Sequence, residues 1–237
     1  MSLPVRITAL LVAFAAVVVG AAFIVVHYIL GSPPTVTFNA SGGVTNVLLQ
    51  EDAQNNGDLA SKPDWVSYFV QDPSTKQWVH TTLFSIPKGT TVHVTILGYD
   101  GCTPPRNNFW SLVQGTIGGT MNLSIVNAKG VATPTRRVSV FNGWAGCTVG
   151  HTFAIPSLHV FVPVASPNAL DSANSLCATS PCTSGPHAVE SFSFKAPGHA
   201  GIFRWQCYVP CGGGFIDGNG GPMQTLGYMT GNMEVRA

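Results

Sequence analysis

Two regimes of hydrophobic patterning divide the chain. Residues 9–26 read ALLVAFAAVVVGAAFIVV, apolar on every face and without a charge. Residues 7–30 give enough helix to cross a hydrocarbon core of roughly 30 Å, so the run predicts a transmembrane helix. After residue 32 the pattern breaks into short runs rich in β-branched and aromatic residues, bounded by Gly, Pro, Asn or Asp. These runs predict strands over 35–38, 44–49, 66–70, 78–84, 90–97, 121–126, 137–141, 151–155, 159–164, 189–194, 201–206 and 231–235. No helical period recurs beyond the first segment. The fold class is therefore all-β, a sandwich or barrel behind one N-terminal helix.

Arg6 is the only charge flanking the apolar run, which places the N-terminus in the cytoplasm and the rest of the chain outside. A cleaved signal peptide would use the small residues Gly20-Ala21-Ala22, but the apolar run continues past them, which favours a retained anchor. His27 then falls at the outer interface. Residues 1–31 form the anchor and 32–237 the extracytoplasmic domain, with two insertions near 101–150 and 167–186 that are long for ordinary loops. Residues 84–96 read as a strand, a Pro87-Lys88-Gly89 turn and a return strand.

Composition narrows the function. Only 9% of residues are charged, and 11 Lys and Arg face 10 Asp and Glu, so the basic footprint of a nucleic-acid binder is missing. So few charges suit an acidic exterior or a large buried interface. Six cysteines in an oxidising compartment divide into two that share a loop and four that lie in the insertions. Cys102 with Cys147 and Cys177 with Cys182 is one of three pairings that four cysteines allow.

The chemistry concentrates in residues 201–235, where Cys207 and Cys211 flank Tyr-Val-Pro in a loop rich in glycine. Paired thiolates select a soft metal, and the thioethers of Met223 and Met229 add a preference for copper. The loop needs an imidazole, and His151 is best placed, opening a strand after Gly150. His80 and His93 sit in alternating strand patterns, His187 and His199 in polar turns, and His159 eight residues beyond His151. Two cysteines and one histidine leave a tetrahedral zinc site without an evident fourth ligand. A nucleophilic thiolate must be exposed, whereas Cys207 in WQCYVPC has aromatic and apolar neighbours. The paired histidines of a multicopper oxidase are missing.

The segments HTFAIPSL, beginning at His151, and GIFRWQCYVPCG, beginning at Gly201, resemble the extracytoplasmic cupredoxin domain of subunit II of haem-copper oxidases. That family carries H-S-[WF]-x-[VI]-P-S-L and then G-x-[YF]-x-x-Q-C-x-x-x-C-G in the same order, and the single N-terminal span is similar to its one-helix form. The matched motifs cover about twenty residues. The resemblance implies a Greek-key cupredoxin sandwich, with His151 as an imidazole ligand and Cys207 and Cys211 as thiolates bridging two copper ions. It also implies the Val209 carbonyl as a weak ligand. The implied function is a membrane-anchored electron-transfer subunit of a respiratory terminal oxidase, non-catalytic itself, with integral membrane oxidase subunits as partners and an unspecified electron donor. Alternatives are a copper-free structural subunit of a membrane complex and a copper delivery or storage protein.

The chain departs from the family at the second histidine. Counting from Cys211, the family's histidine and methionine places hold Phe215 and Gly218; aligned on the last strand, they hold Leu226 and Met229. Met223, Met229, Gln224 and Asp217 are the available substitutes. Met229 is the first choice because it precedes the final strand, and one or two copper ions would suit the set.

Overall fold

The computed structural model describes residues 3–24, 33–52, 65–102, 107–141, 149–167, 180–209, 211 and 221–237. Two compact units are present, Met1–Pro33 and Pro34–Ala237. The first holds helix α1, Leu3–Ile24, whose 22 residues carry no acidic group in the first turn and no basic group in the last. Its large apolar side chains, such as Leu10, Phe14 and Val17, are exposed. Among the described residues no helix is long and apolar enough to cross a membrane. His27 and the C-terminal end of the expected span, residues 25–30, lie outside the described residues.

The second unit is a sandwich of two sheets, as the strand pattern predicts. Its strands are β1 Thr35–Thr37, β2 Val44–Asp52, β3 Ser67–Gln71, β4 Trp78–His80, β5 Leu83–Pro87, β6 Thr91–Gly98, β7 Met121–Val126, β8 Arg136–Val138, β9 Val149–Ile155, β10 Val160–Ala165, β11 His187–Lys195, β12 Gly201–Gln206 and β13 Thr230–Arg236. One sheet has the order β1-β5-β13-β12-β9-β10 and the other β4-β3-β2-β6-β11-β7-β8. Along β6 and β11 buried and half-buried residues alternate, the signature of a strand with one face on the core. All seven residues of β9 are buried, so this strand is covered on both faces. Phe84, Phe153, Trp205, Tyr68, Ile96 and Leu123 fill the core between the sheets.

Two expectations change. The runs at either side of Pro87-Lys88-Gly89 are strands, but they do not return on each other: β5 belongs to the first sheet and β6 to the second. The turn carries the chain across the sandwich, and β5 instead pairs in parallel with β1 and β13. The predicted strand over 78–84 is two strands in different sheets, β4 and β5, with the break at the buried Thr81-Thr82. Thr82 ties β5 to the end of the chain. Its Oγ1 donates to the Thr230 carbonyl at 2.6 Å and accepts the Gly227 N–H at 2.7 Å, while its carbonyl accepts the Trp205 indole N–H at 3.0 Å. Backbones approach so closely here that a Cβ on Gly231 would lie 2.0 Å from the Thr82 carbonyl oxygen.

The insertion near 101–150 is partly built into the scaffold, because its β7 and β8 extend the second sheet beyond β11. Cys102 and Cys182 each take part in a disulfide, whereas Cys207 and Cys211 are free. Cys147 and Cys177, the other halves of the expected pairings, lie outside the described residues.

Candidate metal centre

The site lies at one end of the sandwich, where both sheets contribute. β12 and β9 are neighbours, joined by the register pair Gln206 and Ala154, so Cys207, the first residue after β12, arrives beside His151 on β9. The Cys207 N–H donates to the Met229 carbonyl at 2.8 Å, which anchors the start of the loop to the strand entering from the other side. Thr152 holds the loop from β9: its Oγ1 accepts the Tyr208 N–H at 2.8 Å, and its N–H points at the Cys207 sulfur at 3.4 Å. Tyr208 stacks on Trp110 with ring centroids 4.5 Å apart and planes within 7°, so the insertion covers the loop with an aromatic lid.

His151 Nδ1 is 2.8 Å from Cys211 Sγ and 3.8 Å from Cys207 Sγ, and the two sulfurs are 2.9 Å apart. The Val209 carbonyl lies 3.3 Å from one sulfur and 2.8 Å from the other. His151, Cys207 and Cys211 are all buried, and their ligand atoms all fall within 4.8 Å of one another. The structure thus brings together the imidazole, both thiols and the carbonyl that the sequence singles out.

Of the two methionines, Met223 is the one whose sulfur meets the loop, as the acceptor of the Cys211 N–H at 3.4 Å. Met229 is fully buried in the core and meets Cys207 through its backbone. Gln224 sits beside Met223 on the 3-10 turn Pro222–Gln224, and Asp217 lies outside the described residues. The other described histidines are elsewhere in the sandwich. His80 packs against Phe69 and Tyr228, His93 pairs with Ser193, His187 stacks on Tyr99, and His199 packs on Phe203. His159 is a left-handed cap with φ of 53°.

Sequence reasoning missed the carboxylates. Glu51, near the end of β2, and Asp100, just past β6, reach the far side of the His151 ring, with Asp100 Oδ2 at 2.7 Å and Glu51 Oε1 at 3.1 Å from Nε2. The parallel pairing of β2 with β6 places Glu51 opposite Gly98, and the Tyr99 N–H donates to the Glu51 carbonyl at 2.8 Å.

Burial governs the electrostatics. It drives the Glu51 carboxyl well above the usual range, although the His151 charge pulls the other way. Burial also disfavours the imidazolium, but the Glu51 charge and the Asp100 and Cys207 hydrogen bonds outweigh it and hold His151 well above its ordinary value. The thiols split. Burial raises Cys207, yet the Cys211 hydrogen bond and His151 bring it well below the ordinary thiol, while burial and the neighbouring Cys207 hold Cys211 well above. A thiolate and a thiol beside an imidazole are a ready ligand set for a soft cation, which displaces the protons they hold.

No family model and no curated protein matches the chain. Among solved structures it is similar to the copper protein rusticyanin, at 18% identity over 84% of this chain and 82% of that one, with a TM-score of 0.28. It is also similar to rusticyanin from Thiobacillus ferrooxidans, at 16% identity over 84% of this chain and 82% of that one, with a TM-score of 0.29.

Proposed function

We propose that the second unit is a cupredoxin-like electron-transfer domain that holds copper between His151, Cys207 and Cys211. The observation that carries this reading is the convergence of one imidazole nitrogen and two sulfurs within 4.8 Å in a buried pocket. Two thiolates and an imidazole suit copper, and the Val209 carbonyl beside both sulfurs fits the weak ligand that the subunit II resemblance implies. Copper held there supplies a one-electron couple between its two common oxidation states. The chain's own residues do the rest. Cys207 and Cys211 hold the ion from one loop, Thr152 and Trp110 keep that loop in place, and burial excludes water, which limits the rearrangement that accompanies a change of charge.

The arrangement disfavours two other chemistries. A Cys-His-Asp set also serves nucleophilic catalysis, but such a thiolate must meet its substrate, and Cys207 and Cys211 are 0% and 3% exposed. Zinc would require a fourth strong ligand, and the Met223 thioether, 3.4 Å from the Cys211 nitrogen, is a soft donor that suits copper better.

The same reading extends to a membrane-anchored component of a respiratory terminal oxidase. The sequence from residue 7 to residue 30 is apolar and uncharged after Arg6. This supports an anchor that holds the domain at the outer face of the membrane, with integral membrane subunits as electron acceptors. The test is copper loading of the full chain in detergent, followed by elemental analysis and electron paramagnetic resonance. Bound copper that undergoes reversible oxidation supports electron transfer; bound copper that leaves on oxidation would favour delivery or storage. A Cys207→Ser, Cys211→Ser double variant that retains full copper would overturn the site.

A further inference from the structure

We propose that Asp100, backed by Glu51, is the positioning residue of this centre: it takes the Nε2–H of His151 and so turns Nδ1 toward the two sulfurs as the ligand atom. The inference rests on the metal-centre reading above and adds residues that no motif in the chain identifies. A metal-bound imidazole donates its second ring nitrogen's proton to a neighbouring acceptor, which fixes the ring's tautomer and tilt and makes the ligand nitrogen more basic. Here Asp100 Oδ2 stands 2.7 Å from Nε2 while Nδ1 faces Cys211 Sγ at 2.8 Å, so the ring is held from opposite sides.

Asp100 is itself fixed. Its Oδ1 accepts the Gly101 N–H at 2.6 Å, and its carbonyl accepts the Ser166 hydroxyl at 3.3 Å. The same turn is pressed against the strand that carries His151, since a Cβ on Gly150 would fall 2.6 Å from the Gly101 carbonyl oxygen. Carboxylate and imidazole therefore sit on two pieces of backbone in direct contact, one from each sheet. With the Nε2–H given to Asp100, Glu51 Oε1 stands 3.1 Å from the same nitrogen with no hydrogen-bond donor of its own.

An acceptor behind the imidazole strengthens it as a donor, in a ligand set from which the family's second imidazole is missing. Asp100 is 18% exposed and Glu51 only 1%, so Asp100 keeps some contact with water and is the group that substitution can probe without opening the core.

The experiment uses the full chain in detergent with Asp100→Asn, Asp100→Leu and Glu51→Gln. Nitrogen NMR of metal-free protein with labelled histidine should show Nε2 protonated, with a proton that exchanges slowly in the wild type and rapidly in Asp100→Leu. Competition against a copper(I) chelator should show Asp100→Leu weaker by about 10–100-fold. Asp100→Asn retains an acceptor oxygen and should recover most of that affinity, but with a raised potential because the negative charge is gone. Affinity and potential unchanged in Asp100→Leu, or an unprotonated Nε2 in the wild type, would overturn the proposal. If wild-type protein takes up no copper, the metal-centre reading falls, and the exchange of the Nε2 proton still decides whether Asp100 positions the ring.

Discussion

Cys207 and Cys211 hold their sulfurs 2.9 Å apart without a bond between them, since a disulfide would bring them to about 2.05 Å. The loop therefore presents two thiols that either a metal or an oxidant can join. Metal-free protein exposed to oxidant should form a Cys207 to Cys211 disulfide, and protein loaded with copper(I) under anaerobic conditions should retain both thiols for labelling after the metal is removed. Peptide mass spectrometry without reduction reads the difference. A Cys207 to Cys211 bridge in copper-loaded protein would refute the bridging role.

Asp52 and Glu190 should each contribute stability that grows as the solution is made acidic. Burial pushes Asp52 from 3.8 to about 7, and Glu190, also buried, well above its usual range. Between pH 3.8 and about 7 the unfolded chain ionises Asp52 while the folded protein keeps it protonated, so the folded state binds more protons there. The stabilisation is fully present below pH 3.8 and is lost as the pH rises through about 7. Asp52 alone contributes on the order of 4 kcal/mol across that window, at 1.36 kcal/mol per pH unit. Asp52→Asn should flatten the curve, which chemical denaturation at a series of pH values measures. A stability that climbs with pH over this range would contradict the assignment.

Gly231→Ala tests the seam between β5 and β13. The added Cβ would lie 2.0 Å from the Thr82 carbonyl oxygen and 2.4 Å from the Thr82 Cβ, so backbone has to move. Thr82 also receives the Trp205 indole, which links this seam to the strand leading into Cys207. The cost should be about 1–3 kcal/mol, the usual range for overpacking, with a parallel loss of copper affinity. Denaturant midpoints and copper titration check both; an unperturbed midpoint would show that the seam can yield.

Period-2 patterning made most strands legible, and β7 and β12 match their predicted ranges. What the pattern lacks is which sheet each strand joins. Pro87-Lys88-Gly89 carries the same turn chemistry whether the chain folds back or crosses the sandwich, and only long-range pairing of β5 with β13 decides. The site divides in the same way. Cys207, Cys211 and His151 stand in local motifs, so their chemistry is readable from spacing. Glu51 reads as the polar end of a strand and Asp100 as an ordinary turn residue; they reach His151 only because β2 and β6 pair in parallel with Glu51 opposite Gly98. A buried acidic pair in an otherwise apolar run, Glu51-Asp52 after Val47 to Gln50, was the one available signal.

The missing imidazole leaves the choice of methionine to be tested. Spacing favoured Met229, which precedes β13, but the contacts favour Met223. Its sulfur already lies 3.4 Å from the Cys211 nitrogen, whereas Met229 meets the loop through its carbonyl. A thioether holds copper(I) well and tunes the potential of a thiolate-imidazole site. Met223→Leu conserves volume and is partly exposed at the rim of the core, so its effect should fall on the metal: a weaker copper(I) complex, on the order of tenfold by analogy with other losses around a metal site, and a changed absorption spectrum. Met229→Leu should lower the denaturation midpoint by less than about 1.5 kcal/mol, the usual limit for a volume-conserving core exchange, and leave the spectrum unaltered. Spectra, potentials and chelator competition on the two variants separate the roles. A spectral change confined to Met229→Leu would return the ligand to Met229, and no change in either variant would leave the copper bound by His151, Cys207, Cys211 and the Val209 carbonyl alone.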